Sequence, residues 1–337
     1  MAHPSISVAL ATSPSSPDEI ALAERLGYER AWLFDTPQQS PDVWMVLALA
    51  AQRTESIGLG PGVLVPSLRH PMVNAAATQM LQSLAPGRVA VAFGTGFTGR
   101  AAMGLPPLTW SYMRSYVTAY RGLLRGEVVE WEGTRMRMLP PEQDPQTAPA
   151  PPPILISALG PKGAEVARAM GADGVFSFGA PSAAMGQFGW AALGTGGTVL
   201  DDGESPDSPR VREAAGPMWA ITYHFAYTAG GADAVREIPG GPEWLAVIEK
   251  APEPDRHLAV HTGHLVRLNE ADTAAWEAGG SALVTKASLT GPAAGIRRAV
   301  SALAGQGVTE IAYLPCGPDI RRELEVFIEA ATGSSHD

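Results

Sequence analysis

Apolar residues along this chain fall into short runs that alternate with longer segments of helical period. Several runs are continuously apolar rather than strictly alternating, as expected for parallel strands that are covered on both faces. The predicted strands span residues 6–11, 31–35, 57–65, 89–95, 154–159, 174–179, 218–228 and 310–315.

Helical segments follow most of these strands. The clearest predicted helices span residues 18–26, 41–54, 73–84, 110–124, 162–170 and 318–331. Repeated strand-helix units in a chain of this length predict a single α/β domain, residues 1–337, folded as a closed (β/α)8 TIM barrel. The alternative fold is an open, doubly wound sheet.

Two regions interrupt the alternation. Residues 128–138 predict a hairpin that turns at Gly133, followed by a proline-rich connector, so we expect a surface insertion over 126–152. Residues 180–216 lack clear periodicity and predict a second loop insertion, either an active-site lid or an inert segment. Its GTGG sequence does not predict a phosphate loop, because no predicted strand leads into it.

Composition narrows the class of protein. The 337 residues carry a net charge of −10 and no long basic run, which argues against a nucleic-acid surface. The single cysteine, Cys316, excludes an internal disulfide framework and suits a reducing cytoplasm. Without a signal sequence or a membrane span of ~18 apolar residues, we expect a cytoplasmic protein that binds a small molecule.

Two glycine-containing strands predict a ligand site. The strand over 57–65 is interrupted by Gly60, Pro61 and Gly62, where a strand needs special backbone geometry or lets a ligand come close. The alternative, which the sequence alone favours, is a simple bulge at the edge of the sheet. The strand over 89–95 leads directly into Gly94, Thr95 and Gly96, whose exposed amides could form a concave site for a flat or anionic ligand.

The turn over residues 159–163 predicts a phosphate site. Its residues are Leu159, Gly160, Pro161, Lys162 and Gly163. Proline suits the first helical position, and the unpaired amides of a first turn attract an anion. A lysine there opposes the helix dipole, which a bound phosphate would explain. The alternative is a solvated lysine on an ordinary turn.

Proton-transfer candidates are spread along the chain. Asp35 and Thr36 follow the second predicted strand, at the end of the barrel where such enzymes carry their chemistry, although Asp35 could instead cap a turn. His224, near the end of the seventh predicted strand, is a candidate acid or a core histidine. His261 belongs to an H-x3-H-x2-H pattern with His257 and His264, which we interpret as substrate-facing or core histidines rather than as a metal site.

Four segments together resemble the luciferase-like flavin or deazaflavin oxidoreductases. They are RAWLFD with DVWMVLALAAQRTESIGLG, LRHPMVNAAATQMLQSLAPGRVAVAFGTG, ILISALGPKGAEVARAMGADGVF and GVTEIAYLPCGPD. The resemblance implies a bacterial-luciferase-like barrel, a non-prolyl cis peptide at Gly62-Val63 behind the cofactor ring, and a cofactor phosphate held by backbone amides at the turn over 159–163. It also implies a homodimer and no metal.

Within this family, the chain resembles the methylenetetrahydromethanopterin-reductase-like branch. Three segments carry this resemblance: PLTWSYMRSYVTAYRGLLRGE, the hairpin region and the ALGPKG turn. That resemblance implies coenzyme F420 and hydride transfer to or from a small organic substrate. One alternative is an FMN-dependent monooxygenase that uses reduced flavin and oxygen, and a separate cofactor reductase is a possible partner. The other alternative is a flavin-binding protein without turnover.

Two positions depart from patterns that occur in this family. Thr36 stands where relatives that use the deazaflavin often have the histidine of an Asp-His pair, and Phe97 stands where some place a glutamate. These departures argue against oxidation of a sugar phosphate, and they leave the proton donor unassigned.

Overall fold

The computed structural model describes residues 3–139 and 150–333. Ten strands lie in these ranges: β1 (Ser5–Leu10), β2 (Arg30–Leu33), β3 (Gly58–Pro61), β4 (Val91–Phe93), β5 (Val129–Trp131), β6 (Thr134–Met136), β7 (Ile154–Ser157), β8 (Gly174–Phe178), β9 (Ala191–Gly196) and β10 (Glu310–Leu314).

Helices connect and cover the strands. They are α1 (Ser16–Arg25), α2 (Val43–Ala51), α3 (Pro71–Leu84), α4 (Phe97–Ala101), α5 (Trp110–Leu124), α6 (Pro161–Ala169), α7 (Pro209–Arg236), α8 (Gly241–Ile248), α9 (Arg256–His261), α10 (Glu270–Glu277), α11 (Val284–Ala287), α12 (Ala293–Gly305) and α13 (Ile320–Thr332). Short 3-10 turns occupy Pro66–Leu68, Met185–Gln187, Glu253–Asp255 and Gly280–Leu283.

Eight parallel strands form one sheet in the order β3-β2-β1-β10-β9-β8-β7-β4. Parallel bridges from Leu59 to Val89 and from Leu64 to Phe93 join the two outer strands, so the sheet closes into a barrel. The predicted (β/α)8 barrel is therefore confirmed, and the open sheet is excluded.

Small and aromatic side chains fill the barrel interior. Trp32 meets Phe176 edge to face with ring centroids 5.3 Å apart, among alanines contributed by several strands. Alternating large and small residues pack the inside of such a barrel as a solid core rather than a pore. The ligand site must therefore lie at an end of the barrel.

The predicted seventh strand is wrong. Residues 218–228 lie inside α7, and β9 supplies the seventh barrel strand instead. β9 has the sequence AALGTG, whose small residues give a weak strand signal, and every one of its positions is buried in the closed sheet. Burial in the closed sheet, rather than the local strand preference of these residues, therefore accounts for the formation of β9.

The predicted loop over 180–216 is corrected by the same finding. It contains β9 and the start of α7, and the first three residues of the GTGG sequence, residues 194–196, form the end of β9. The larger insertion is helical: α7 to α11, residues 209–287, lie between β9 and α12, and a bridge from Val199 to Gly291 marks where the chain leaves and returns. We call these residues the helical cap.

The helical cap has an apolar core of its own. Large aromatic side chains dominate this core: Trp219, Tyr223, Trp244 and Trp276. Because the cap follows the carboxyl end of β9, it lies on the side of the barrel where catalytic loops gather.

The predicted hairpin is confirmed. β5 and β6 pair in antiparallel fashion, and Gly133 adopts a left-handed conformation at the turn. Residues 140–149 of the predicted connector lie outside the described residues. Within the described ranges, no helix is both long and apolar enough to cross a membrane.

Candidate active site at the carboxyl ends of the barrel strands

The segment after β3 forms one wall of the candidate site. The peptide bond between Gly62 and Val63 is cis, as the family resemblance implied. Hydrogen bonds to neighbouring strands hold both sides of it, since Gly62 N donates to Leu33 O at 2.8 Å and Leu64 N donates to Ala92 O at 2.8 Å. The backbone is therefore fixed at the mouth of the barrel.

The turn after β4 packs directly on this wall. A Cβ atom at Gly94 would lie 2.6 Å from Val63 Cγ2, so this position accepts only glycine without a shift of Val63. Gly96 adopts a left-handed conformation and precedes α4, and Thr95 O accepts a hydrogen bond from Leu108 N at 2.9 Å. The structure thus brings two predicted ligand segments together.

The turn after β7 lies beside these two segments. Gly160 is the N-cap residue of α6 and has no side chain with which to bond the first-turn amides. Pro161 begins the helix, and Lys162 is exposed. β7 pairs with β4, and Ser157 Cβ lies 3.3 Å from where a Cβ of Gly94 would be, so this turn shares the edge with Gly94. Free first-turn amides beside a glycine-lined wall fit a flat ring that carries a phosphate.

Gly163 allows α6 to begin close to the strand. A Cβ at this position would lie 3.0 Å from Ala158 Cα and 3.3 Å from the ring of Trp110. Leu159, in contrast, is 46% exposed and offers an apolar surface beside the turn. Close packing behind the turn and an open face in front of it are the features expected of a binding loop.

Asp35 is held in an ion pair. Arg69 Nη1 donates to both carboxylate oxygens of Asp35, at 2.7 and 2.8 Å, and Arg69 Nη2 donates to Asp42 at 2.6 Å. Burial raises the pKa of Asp35 above its usual value, and the hydrogen bonds from Arg69 oppose that rise. The sequence analysis missed Arg69, because no motif in the LRHP segment relates this arginine to Asp35.

Asp42 caps α2 through its other contacts, accepting hydrogen bonds from the amides of Trp44 and Met45. Arg69 therefore ties the loop after β2 to the start of a helix. Thr36 lies next to this network, half-buried, with its hydroxyl 2.9 Å from Ser40 Oγ.

His224 lies on α7 rather than on a strand, which corrects its predicted position. It is buried against His261 and His264, and its Nδ1 lies 2.7 Å from Nδ1 of His264. Its Nε2 lies 3.0 Å from Asp272 Oδ1. Burial lowers the pKa of His261 to about 4 and holds the pKa of His264 well below its usual value.

Asp272 is a second residue of the candidate site that the sequence analysis missed. The pattern Asn269-x-x-Asp272 could have predicted a capping box at the start of α10, which the structure contains. Only the fold shows that the same carboxylate also accepts a hydrogen bond from Trp244 Nε1 at 2.9 Å and faces His224.

Several contacts join the helical cap to the barrel mouth. Gln39 Nε2 donates to His264 O at 2.9 Å, and Cys316 Sγ donates a weak hydrogen bond to Leu265 O at 3.5 Å. The rings of Phe97 and Phe225 lie 5.1 Å apart and link α4 to α7. The three histidines therefore lie in the part of the cap that contacts the mouth.

Cys316 itself is a packing residue. It is buried next to the barrel interior, and burial raises its thiol pKa to about 12, so it is not a nucleophile at neutral pH.

Comparison with known proteins identifies the family. The family model described as luciferase-like monooxygenase matches residues 15–310. Together with the closed barrel and the glycine-lined mouth, this match places the chain in the luciferase-like monooxygenase family.

Two curated relatives match about half of the chain. A 5,10-methylenetetrahydromethanopterin reductase from Methanolobus tindarius is 32% identical over 158 residues, 46% of this chain and 47% of the relative. An F420-dependent glucose-6-phosphate dehydrogenase from Intrasporangium calvum is 32% identical over 174 residues, 47% of this chain and 51% of the relative. The chain thus spans about half the length of the curated relatives that it matches.

A solved structure matches over nearly the whole length. The coenzyme F420 dependent tetrahydromethanopterin reductase from Methanopyrus kandleri superposes with a TM-score of 0.69 at 20% identity, covering 98% of this chain and 99% of that one. At this identity the likeness establishes a shared fold.

Proposed function

We propose that this protein is an oxidoreductase that uses coenzyme F420 for hydride transfer to or from a small organic substrate. The observation that supports the proposal most strongly is that three segments line the same edge of the barrel mouth. They contain Val63, Gly94 and the first turn of α6, and each follows a barrel strand. The names of two matched relatives, a methylenetetrahydromethanopterin reductase and an F420-dependent dehydrogenase, support the choice of cofactor.

The proposed roles of the cofactor-binding residues follow from their positions. Gly62, Val63 and Gly94 back a flat ring, with Thr95 and Gly96 at its edge. The backbone amides from Leu159 to Gly163 bind the phosphate, and exposed Lys162 adds positive charge. Coenzyme F420 supplies hydride transfer without activation of oxygen, whereas reduced FMN reacts with oxygen.

The residues around the mouth favour an apolar substrate. Phe97 packs on Phe225, which is 50% exposed, and Leu159 offers another apolar surface. A sugar phosphate would find no carboxylate at position 97. Thr36 is the proposed proton-handling residue, because Asp35 is engaged by Arg69 and serves to hold that arginine in place.

Binding of the two cofactors tests the proposal. Purified protein is titrated separately with coenzyme F420 and with FMN while cofactor fluorescence is followed. Tight binding of F420 with weak binding of FMN is expected. Preference for FMN would favour an FMN-dependent monooxygenase, and failure to bind either cofactor would overturn the proposed site.

Charge reversal at Lys162 tests the phosphate position. Lys162→Glu should weaken F420 binding at least tenfold, which corresponds to about 1.4 kcal/mol. Lys286→Glu, the same change at another exposed lysine on α11, should leave binding unchanged. Equal affinity in the two variants would place the phosphate elsewhere. Binding without turnover of any imine, alkene or carbonyl substrate would favour a flavin-binding protein that lacks catalysis.

We further propose a cytoplasmic homodimer, with a separate cofactor reductase as a partner if the cofactor is FMN. The outer faces of α2 and α3 support the dimer, because they expose four apolar side chains: Met45, Leu49, Val73 and Met80. Because α2 and α3 pack against each other, these exposed apolar side chains support a protein interface on this side of the barrel.

A further inference from the structure

The three histidines of the helical cap approach one another from separate elements. His224 comes from the middle of α7, His261 ends α9, and His264 lies in the loop that follows. Their ring centroids are 5.0, 5.5 and 5.9 Å apart, and one ring nitrogen from each lies within 4.8 Å of the others. Three imidazoles on one metal at ~2.0–2.1 Å have ring centroids roughly 5 Å apart, so the spacing fits a shared ion.

The hydrogen bonds leave a lone pair on the facing nitrogen of His224. Asp272, when ionised, only accepts hydrogen bonds, so the contact at 3.0 Å places a proton on Nε2 of His224. In the neutral ring, Nδ1 of His224 then carries a lone pair and accepts the hydrogen bond from Nδ1 of His264 at 2.7 Å. To bind a metal through Nδ1, His264 would carry its proton on Nε2 instead. Nδ1 of His261 is buried and has no hydrogen-bond partner among the described residues.

Asp272 supplies the outer support that metal-binding histidines usually have. A carboxylate bonded to the far nitrogen of a ligating imidazole fixes the tautomer and the ring orientation. Trp244 Nε1 and the capping box with Asn269 hold Asp272 in turn. A buried carboxylate with this many partners is built into the cap rather than left at its surface.

We propose that His224, His261 and His264 bind one zinc-class divalent ion. Three imidazoles without a thiolate suit zinc, cobalt or nickel and leave a fourth position for water. The two facing Nδ1 atoms would separate from 2.7 Å to about 3.3 Å by small ring rotations, as tetrahedral geometry requires. Because Gln39 holds the backbone of His264, the ion would fix the loop over residues 262–268 against the barrel mouth.

Metal titration of the full-length, tag-free protein tests this proposal without any flavin or deazaflavin. After chelator treatment, Co²⁺ is added and visible absorption is followed, and bound zinc is measured by elemental analysis after dialysis. We expect one ion per chain, a tetrahedral cobalt spectrum and a rise in Tm with zinc. A wild-type protein that shows no stoichiometric binding would overturn the site and would identify the cluster as a hydrogen-bonded core.

Variants locate the ion. His261→Ala should abolish the cobalt spectrum, and Asp272→Asn should weaken binding by about 10- to 100-fold. His257→Ala is the matched control, one turn earlier on α9 and outside the cluster, and should bind normally. Circular dichroism checks folding, and His261→Gln replaces the alanine variant if that variant unfolds. Retained binding in folded His261 variants, or loss in His257→Ala, would contradict the assignment.

Discussion

Gly94 shows how the absence of a side chain at one position shapes the candidate site. Its missing Cβ leaves room for Val63, and Val63 forms the wall of the barrel mouth. Sequence alone predicts a turn there, because glycine follows an apolar strand. The identity of the neighbour that requires the glycine becomes visible only when β3 and β4 are seen to close the barrel.

Gly94→Ala should destabilise the protein by about 1–3 kcal/mol, because the new methyl group overlaps Val63 in a packed region. The free energy of unfolding in urea measures this change. Gly160→Ala is the control, since its backbone is extended at φ −158° and a Cβ there meets nothing within 4 Å. Equal unfolding free energies for the two variants would show that Val63 moves aside without cost.

Asp35 illustrates a side chain whose partner is visible only in the folded structure. A carboxylate at the end of a barrel strand predicts catalysis, and the structure adds an ion pair in which Arg69 Nη1 donates to both oxygens of this carboxylate. Removing one partner of a buried pair leaves an uncompensated charge. Loss of Arg69 would therefore leave the carboxylate of Asp35 buried without its partner.

At the scale of elements, Arg210 near the start of α7 is one of the residues that connect the helical cap to the barrel. Arg210 contacts Glu204 and also donates to Glu323 Oε1 at 3.0 Å, which connects the cap to α13. The hydrogen bonds from Arg210, followed by those from Asp201 N and Ser208, lower the pKa of Glu204 to about 2.

Glu204→Gln should reduce stability in a pH-dependent way. Because the folded-state pKa of Glu204 is lowered from 4.5, its contribution is fully present above the unfolded-state pKa and is lost as pH falls towards 2. The Tm difference between wild type and variant should therefore be constant near neutral pH and shrink below about pH 4.5. The exposed Glu237→Gln variant is the control, and an unchanged difference down to pH 2.5 would contradict the assignment.

At the scale of the whole molecule, the apolar face of α2 and α3 carries the proposed dimer. Met45 and Met80 are 71% and 57% exposed, so burying them against a second copy would remove apolar surface from water.

The double variant Met45→Glu with Met80→Glu should be monomeric, because it places several negative charges in the proposed interface. Sedimentation velocity at several concentrations measures the change. Val128→Glu, at a separate site that is 49% exposed, should stay dimeric. A monomeric wild type would overturn the proposed interface.

The sequence by itself determined the barrel, its hairpin, the glycine turns and six of the thirteen described helices, namely α1, α2, α3, α5, α6 and α13. These features depend on local periodicity and on turn chemistry, which are properties of neighbouring residues. The cis peptide at Gly62-Val63 and the family were reached through resemblance, and both are confirmed.

Tertiary structure alone decided β9, the helical cap, the Asp35 and Arg69 pair, and the meeting of His224 with His261 and His264. In β9, burial on every side stabilises small residues whose own strand preference is weak. The ion pair and the histidine cluster join residues that are far apart in sequence, and no local pattern encodes contacts made only when the barrel closes and the cap packs onto it.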